Sequence, residues 1–260
     1  MLAFAWFACV SSSVALSTHT SLLQSLQTKI PRGAPFDIAT LRALDISSSL
    51  ASHYWKSGWL VRLGRGVFMF PNDDLQRDAC LKFLAARIPG LHVGGKTALA
   101  WRGLRHNLSS REHLCLWGDV PAKLPDWFTR RFPSNYTARR LFARKLPRGF
   151  GLQPLPETPG GPPASVPERA LLELFSEVGV RQGVEEARNI MESVRSVRPE
   201  VLEPLLKNCL RVKVVRLCVQ WAEELSLGWA AAARQSVKRT FGRSRWSTRL
   251  KDGTTLILKP

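Results

Sequence analysis

Acidic residues are scarce in this chain. Twenty Asp and Glu stand against 38 Lys and Arg, leaving a formal net charge of +18. A metal-dependent nuclease needs clustered carboxylates and a lysine on neighbouring strands. In the region that reads as strands the acids are only Asp119, Asp126 and Glu157, in no recognisable order. Cysteine is sparse as well. Cys9, Cys80, Cys115, Cys209 and Cys218 are scattered, with no CxxC and no Cys/His ligand spacing. That pattern argues for reduced thiols in a cytoplasmic protein and against a zinc site. Long apolar runs are absent too. The run Leu2–Val10 is too short to span a bilayer, and no basic residue precedes it, the first being Lys29. No methionine lies between Met1 and Met69. Residues 1–20 therefore read as a leader, disordered or following a misassigned start, ahead of a weak export signal or a structural segment. No internal repeat is evident.

What is present is cation and apolar residue in ordinary globular proportion: 45% of the 260 residues are hydrophobic. The length accommodates two domains. A pI of about 10.7 makes a polyanion the expected partner, nucleic acid first and an anionic membrane second.

Residues 47–70 organise the N-terminal part. Ser47 reads as an N-cap, Leu50, Tyr54 and Trp55 as an apolar stripe, and Gly58 as a C-cap. A strand of Trp59, Leu60, Val61 and Leu63, a Gly64-Arg65-Gly66 turn and a strand Val67–Phe70 follow, ended by Pro71. Upstream, Leu22, Leu23, Leu26 and Ile30 give a first helix. Asp37 caps a second, carrying Ile38, Leu41 and Leu44. Three short helices and a hairpin are the order of a winged helix-turn-helix, with the third helix in the major groove and the hairpin tip against the DNA backbone or minor groove. The expected contacts to phosphate are Lys56, Arg62 and Arg65, and to base edges Ser49, Ser52 and His53. Capping is the plainer role for Ser48 and Ser49, and many winged helices bind proteins instead of DNA.

Asn72 or Asp73 is expected to cap a helix from Leu75 to Arg87. Gly90–Thr97 then spells GxxxxGK[ST], the letters of a phosphate loop. A phosphate loop needs a buried strand before it and small residues within. Here a helix precedes it, and Leu91, His92 and Val93 are bulky, so the match is read as a coincidence of letters. His92 and His106 are expected to be hydrogen-bonded structural residues. Strands are expected at Leu114–Trp117, around Leu141–Ala143 and at Leu152–Leu155. Between the first and last of these, Arg130, Arg131, Arg139, Arg140, Arg144, Lys145 and Arg148 alternate with Phe132, Tyr136 and Phe142. Either these groups meet nucleic acid, cations on phosphates and rings on bases, or the rings are core and the arginines solvated. A Pro/Gly-rich connector, residues 156–167, separates this region from helices near 167–178, 182–195, 199–208, 211–226 and 229–239. Pro167 is expected in a first helical turn with Ser165 as its cap. Glu168, Arg169 and Glu173 read as helix-dipole and surface pairing. A third basic cluster includes Lys238, Arg239 and Arg243, followed by a hairpin around Asp252-Gly253.

The segments SGWLVRLGRGVF, LHVGGKTALAWRGLRHNL, PERALLEL, LLKNCLRVKVVRLCVQWAEEL and LKDGTTLILKP, in this order, resemble the AbiEi-type antitoxins of type IV toxin–antitoxin systems. The resemblance covers residues 21–260, and its GGKTAL and KVVRL blocks are more specific than the wing motif. It implies an α+β protein: a winged helix-turn-helix over 21–72, then a mixed α/β and helical antitoxin domain over 73–260. It implies repression of the protein's own operon through operator DNA. It also implies neutralisation of a nucleotidyltransferase toxin without a stable complex. The Gly-Ser loop and paired aspartates that such a toxin would carry are absent here. The resemblance implies no antitoxin site residues, cofactor, metal or catalysis. The rival readings are a protein-binding winged helix and a nuclease-like enzyme.

Overall fold

The structure is a computed structural model, and it describes residues 22–104, 112–237, 246–249, 253 and 255–258. The chain forms two compact units. One runs through Phe83 and takes in Pro125–Trp127; the other comprises Leu84–Leu124 and the chain from Phe128 onward.

In the first unit, residues 22–29 form helix α1. Strand β1 (Phe36–Asp37) follows, then α2 (Ile38–Arg42), α3 (Ser48–Lys56) and a hairpin of β2 (Val61–Gly64) and β3 (Val67–Met69). Side-chain caps start two of these helices: Asp37 Oδ1 accepts from Thr40 N at 2.9 Å and Ser47 Oγ from Leu50 N at 3.2 Å. At the far end of α3 the chain turns through Gly58, φ +79°, while Trp59 N donates to Tyr54 O and Gly58 N to Trp55 O. That pair of bonds is a Schellman motif, and it sends the chain directly into the hairpin. The sheet has the order β1-β3-β2, antiparallel throughout, with Phe36 opposite Phe68 and Val61 opposite Met69. The core gathers one apolar face from each element: Leu26 and Ile30, Phe36, Leu41, Ala51 and Tyr54, Leu60, Phe68 and Phe70.

Two expectations need correction here. The hairpin turn requires positive φ only at Gly66 (+69°), because Gly64 belongs to β2 and pairs with Val67. Neither Asn72 nor Asp73 caps the next helix, α4, which starts later, at Arg77, and runs to Ala85. The Asp73 carboxylate instead accepts from Gly33 N at 2.8 Å and pairs with Arg32 at 2.8 Å.

The second unit is built on a five-stranded mixed sheet, order β6-β5-β4-β8-β7. Its strands are β4 (His92–Val93), β5 (Leu114–Trp117), β6 (Ser134–Thr137), β7 (Leu152–Gln153) and β8 (Ala164–Ser165). Helix α5 (Gly95–Trp101) follows β4, and α6 (Asp126–Arg131) precedes β6. Then come α7 (Pro167–Glu177), α8 (Val184–Ser193), α9 (Pro199–Asn208), α10 (Val212–Glu224) and α11 (Ala230–Val237). An antiparallel hairpin of β9 (Trp246–Arg249) and β10 (Thr255–Leu258) ends the described chain. The strand expected at 141–143 is reduced to a single bridge, Phe142 to Cys209. Helix α7 is buried from Glu168 to Ser176, and its Phe175 meets Trp221 of α10 edge-on at 5.4 Å. A helix buried on every side has no room for a solvated charged face. Each of its charged residues must therefore find a partner inside.

Candidate nucleic-acid interface

The six residues expected to touch DNA all lie on α3 and the adjoining hairpin. Ser49, His53, Lys56, Arg62 and Arg65 are exposed, and Ser52 is half-buried. Ser52 and Arg62 share a shallow cleft of about 190 Å³ with Ser48, Trp55, Ile38 and Phe68. Arg65 occupies the hairpin turn between Gly64 and Gly66, and Gly66 O accepts from Ile38 N at 3.1 Å, fastening the turn to the start of α2. Ser49 shares a hydroxyl hydrogen bond of 2.9 Å with the capping Ser47, and Ser48 Oγ accepts from Arg42 at 3.1 Å. The cap itself is Ser47, so the capping role weighed for Ser48 and Ser49 falls to their neighbour, and their own hydroxyls bond side chains.

Trp55 departs from its expected place. It is 39% exposed and outside the apolar stripe, which is carried by Ala51 and Tyr54. Its ring lies 5.0 Å from the Arg62 guanidinium, whose Nε also donates to Gly64 O at 3.2 Å. The arrangement holds a flexible cation against a flat apolar support, so less side-chain freedom is lost when it meets an anion. The sequence offered one hint: Trp55 follows Tyr54 directly, and adjacent helical positions cannot both face one core.

The other basic candidates divide. Arg130 and Arg131 are exposed at the end of α6, with Arg131 5.9 Å from the Phe132 ring. Arg139 is half-buried and donates to Ser176 O and Glu177 Oε1, both at 3.4 Å. Arg140 is exposed and donates to Phe142 O at 3.2 Å. Lys238, Arg239 and Arg243, like His106, lie outside the described residues.

The second unit also holds a buried polar cluster that sequence reasoning assigned to the surface. Glu173 is 1% exposed. Its Oε1 accepts from Arg169 Nε at 2.8 Å and bonds His92 Nε2 at 3.0 Å; its Oε2 accepts from Ser165 Oγ at 2.8 Å and Gly95 N at 3.0 Å. The other His92 nitrogen faces Gly90 O at 2.7 Å. Burial works to raise the Glu173 pKa, but the charges and hydrogen bonds of His92 and Arg169 outweigh it and hold the carboxyl down to about 2. Glu168, also buried, takes a fork of hydrogen bonds from Arg198: Nε at 3.0 Å and Nη2 at 3.0 Å, with the Arg198 backbone N–H at 2.8 Å. These two acids and Arg169 correct the surface reading. Ser165 corrects the cap reading, since Val166 takes the N-cap position of α7.

The same cluster explains the phosphate-loop letters. The Gly95 amide is taken by Glu173, and Thr97 Oγ1 donates to His113 O while accepting from Cys115 N at 2.8 Å. The groups a phosphate cradle would offer are thus bonded within the fold. Asp119 pairs with Arg148 at 3.4 Å. Among the described residues, no cluster of three or more His, Cys, Asp or Glu is placed to hold a metal, and no helix is long and apolar enough to cross a membrane.

Comparison with known proteins accounts for nearly the whole chain. Residues 19–110 match the family described as transcriptional regulator, AbiEi antitoxin N-terminal domain. Residues 111–255 match that described as transcriptional regulator, AbiEi antitoxin, type IV toxin–antitoxin system. Among solved structures, the crystal structure of RV2827C protein from Mycobacterium tuberculosis is similar over 87% of this chain and 83% of that one, with a TM-score of 0.58 and 17% identity. At that identity the likeness is one of fold. No curated protein matches the sequence.

Proposed function

Because the chain belongs to the AbiEi antitoxin family of transcriptional regulators of type IV toxin–antitoxin systems, we propose that it binds operator DNA and represses its own operon. In this reading the first unit is a winged helix-turn-helix in the cytoplasm. Helix α3 enters the major groove and the β2–β3 hairpin is the wing. The observation that carries it is the exposure of Ser49, His53, Lys56, Arg62 and Arg65, with Ser52 half-buried among them, along one helix and its adjoining hairpin, on a chain of net charge +18. Lys56, Arg62 and Arg65 meet phosphates, while Ser52 and His53, with Ser49, meet base edges. In the second unit, Arg130 and Arg131 are further exposed cations available to nucleic acid. The antitoxin role is opposition to a nucleotidyltransferase toxin without a lasting complex, and it is not enzymatic.

The test is binding of the purified protein to a labelled fragment of its own upstream DNA against scrambled DNA at two salt concentrations. Preference for the upstream fragment that survives the higher salt supports sequence reading. Equal, salt-fragile binding to both fragments refutes it. A second reading draws on Trp59 and Val61, 55% and 41% exposed at the start of the hairpin: a protein-binding winged helix. Its mark is indifference to DNA at low salt.

A further inference from the structure

A cavity of about 550 Å³ in the second unit lies under the segment 139–148. The segment is irregular but well anchored. Leu210 N donates to Leu141 O at 2.9 Å, Ala143 N to Asn208 O at 2.8 Å, and Arg169 Nη1 to the carbonyls of Arg148 and Phe150 at 3.0 and 2.8 Å. The cavity is therefore preformed and does not depend on a loose loop closing.

Its lining is strongly cationic. Arg139, Arg140, Arg144, Arg148 and Arg169 contribute to it, against the carboxylates of Asp119 and Glu173. Arg169 is committed to Glu173, Arg148 to Asp119 and Arg139 to Glu177. Arg140 donates its Nε to a carbonyl and, like Arg144, makes no ion pair among the described residues. Two guanidiniums on a concave wall thus lack a counter-charge, beside three whose charge is met from within. Guanidinium groups match phosphate oxygens in geometry as well as charge. A lone phosphate would fill little of the space, whereas pockets for whole small ligands run to about 300–1,000 Å³. Phe142, half-buried in the same wall, adds an aromatic ring.

From this we infer that the cavity binds a nucleoside polyphosphate, with Arg140 and Arg144 as its principal phosphate ligands. The inference stands apart from the DNA reading, because it concerns a pocket in the second unit and a mononucleotide.

The test is calorimetric titration of the full chain with GTP, ATP, tripolyphosphate, guanosine and a short DNA duplex, repeated for two double variants. Arg140→Ala/Arg144→Ala removes the two cations of the wall that make no ion pair among the described residues. Arg195→Ala/Lys207→Ala removes two exposed cations that do not line the cavity. The expected result is saturable binding of GTP or ATP and none of guanosine. Affinity should fall about tenfold or more in the first variant and stay unchanged in the second. Absence of nucleotide binding would overturn the inference, as would equal losses in both variants, which would reduce the effect to net charge. Tripolyphosphate binding as well as GTP would remove the nucleoside from it. Binding of duplex DNA alone at these arginines would return them to the operator footprint.

Discussion

Replacing Glu173 by Gln keeps the size of the side chain and removes its charge. Four groups then face an amide where they faced a carboxylate: Arg169, His92, Ser165 and the Gly95 backbone. Arg169 cannot escape to solvent, since its side chain is only 10% exposed. Leaving one member of a buried ion pair without its partner costs about 3–5 kcal/mol. The lowered pKa of Glu173 leads to a similar figure by another route. A fall from 4.5 to about 2 corresponds to about 3–4 kcal/mol, at about 1.4 kcal/mol per unit. A domain has only about 5–15 kcal/mol in total, so the second unit should unfold at visibly lower urea concentration, with buried Trp117, Trp221 and Trp229 as fluorescent reporters. The wild-type contribution should also depend on pH in one direction. Because the folded-state pKa lies below the ordinary value, the contribution is complete above 4.5, declines as pH falls and is gone below about 2. The Gln variant should lack that acid-linked component. A variant within about 1 kcal/mol of wild type, with the acid dependence retained, would refute the account of a carboxylate held ionised inside the fold.

The remaining expectations concern the first unit. Arg65→Ala should weaken binding to operator and scrambled DNA alike and reduce the salt slope by about one, read by titration at several salt concentrations. Ser52→Ala and His53→Ala should instead change the ranking among operator variants, at about 1–3 kcal/mol per altered base contact; a uniform loss on every sequence would remove them from base reading. Ser47→Ala deletes the side-chain bond to Leu50 N and should cost about 1 kcal/mol in thermal or urea unfolding, with an unchanged salt slope in whatever DNA binding remains.

What could be read from sequence was what is local. The Ser47 cap, the Gly58 exit and the alternation through Val67–Met69 place α3 and its hairpin, since each depends on residues a few positions apart. The five C-terminal helices followed from their apolar period. Strand β1 was missed because two residues carry no period, and Phe36–Asp37 becomes a strand only by pairing with β3. The two-residue strand β8 was hidden for the same reason, whereas β4 is the short extended piece that the glycines at 94 and 95 set off. Glu168, at the start of α7, and Glu173, in its middle, were misread because charged residues on a helix look solvated. The pairing of Arg169 with Glu173 is local, but Arg198, His92 and Gly95 reach these acids from 30, 81 and 78 positions away, and no local rule connects them.

The bond from Glu173 to the Gly95 amide also bears on how such a chain can change over time. Residues 90–97 and 165–173 are separate words in the sequence but one constraint in the molecule. A Cβ on Gly94 would come within 2.3 Å of Glu173 Oε2 and 2.6 Å of Trp117. The glycine at 94, the acid at 173 and the donors at 92, 165 and 169 are therefore expected to be inherited as a set. Losing the acid alone does not free the glycine, because Trp117 still bars a side chain there; position 94 can change only after both neighbours have given way.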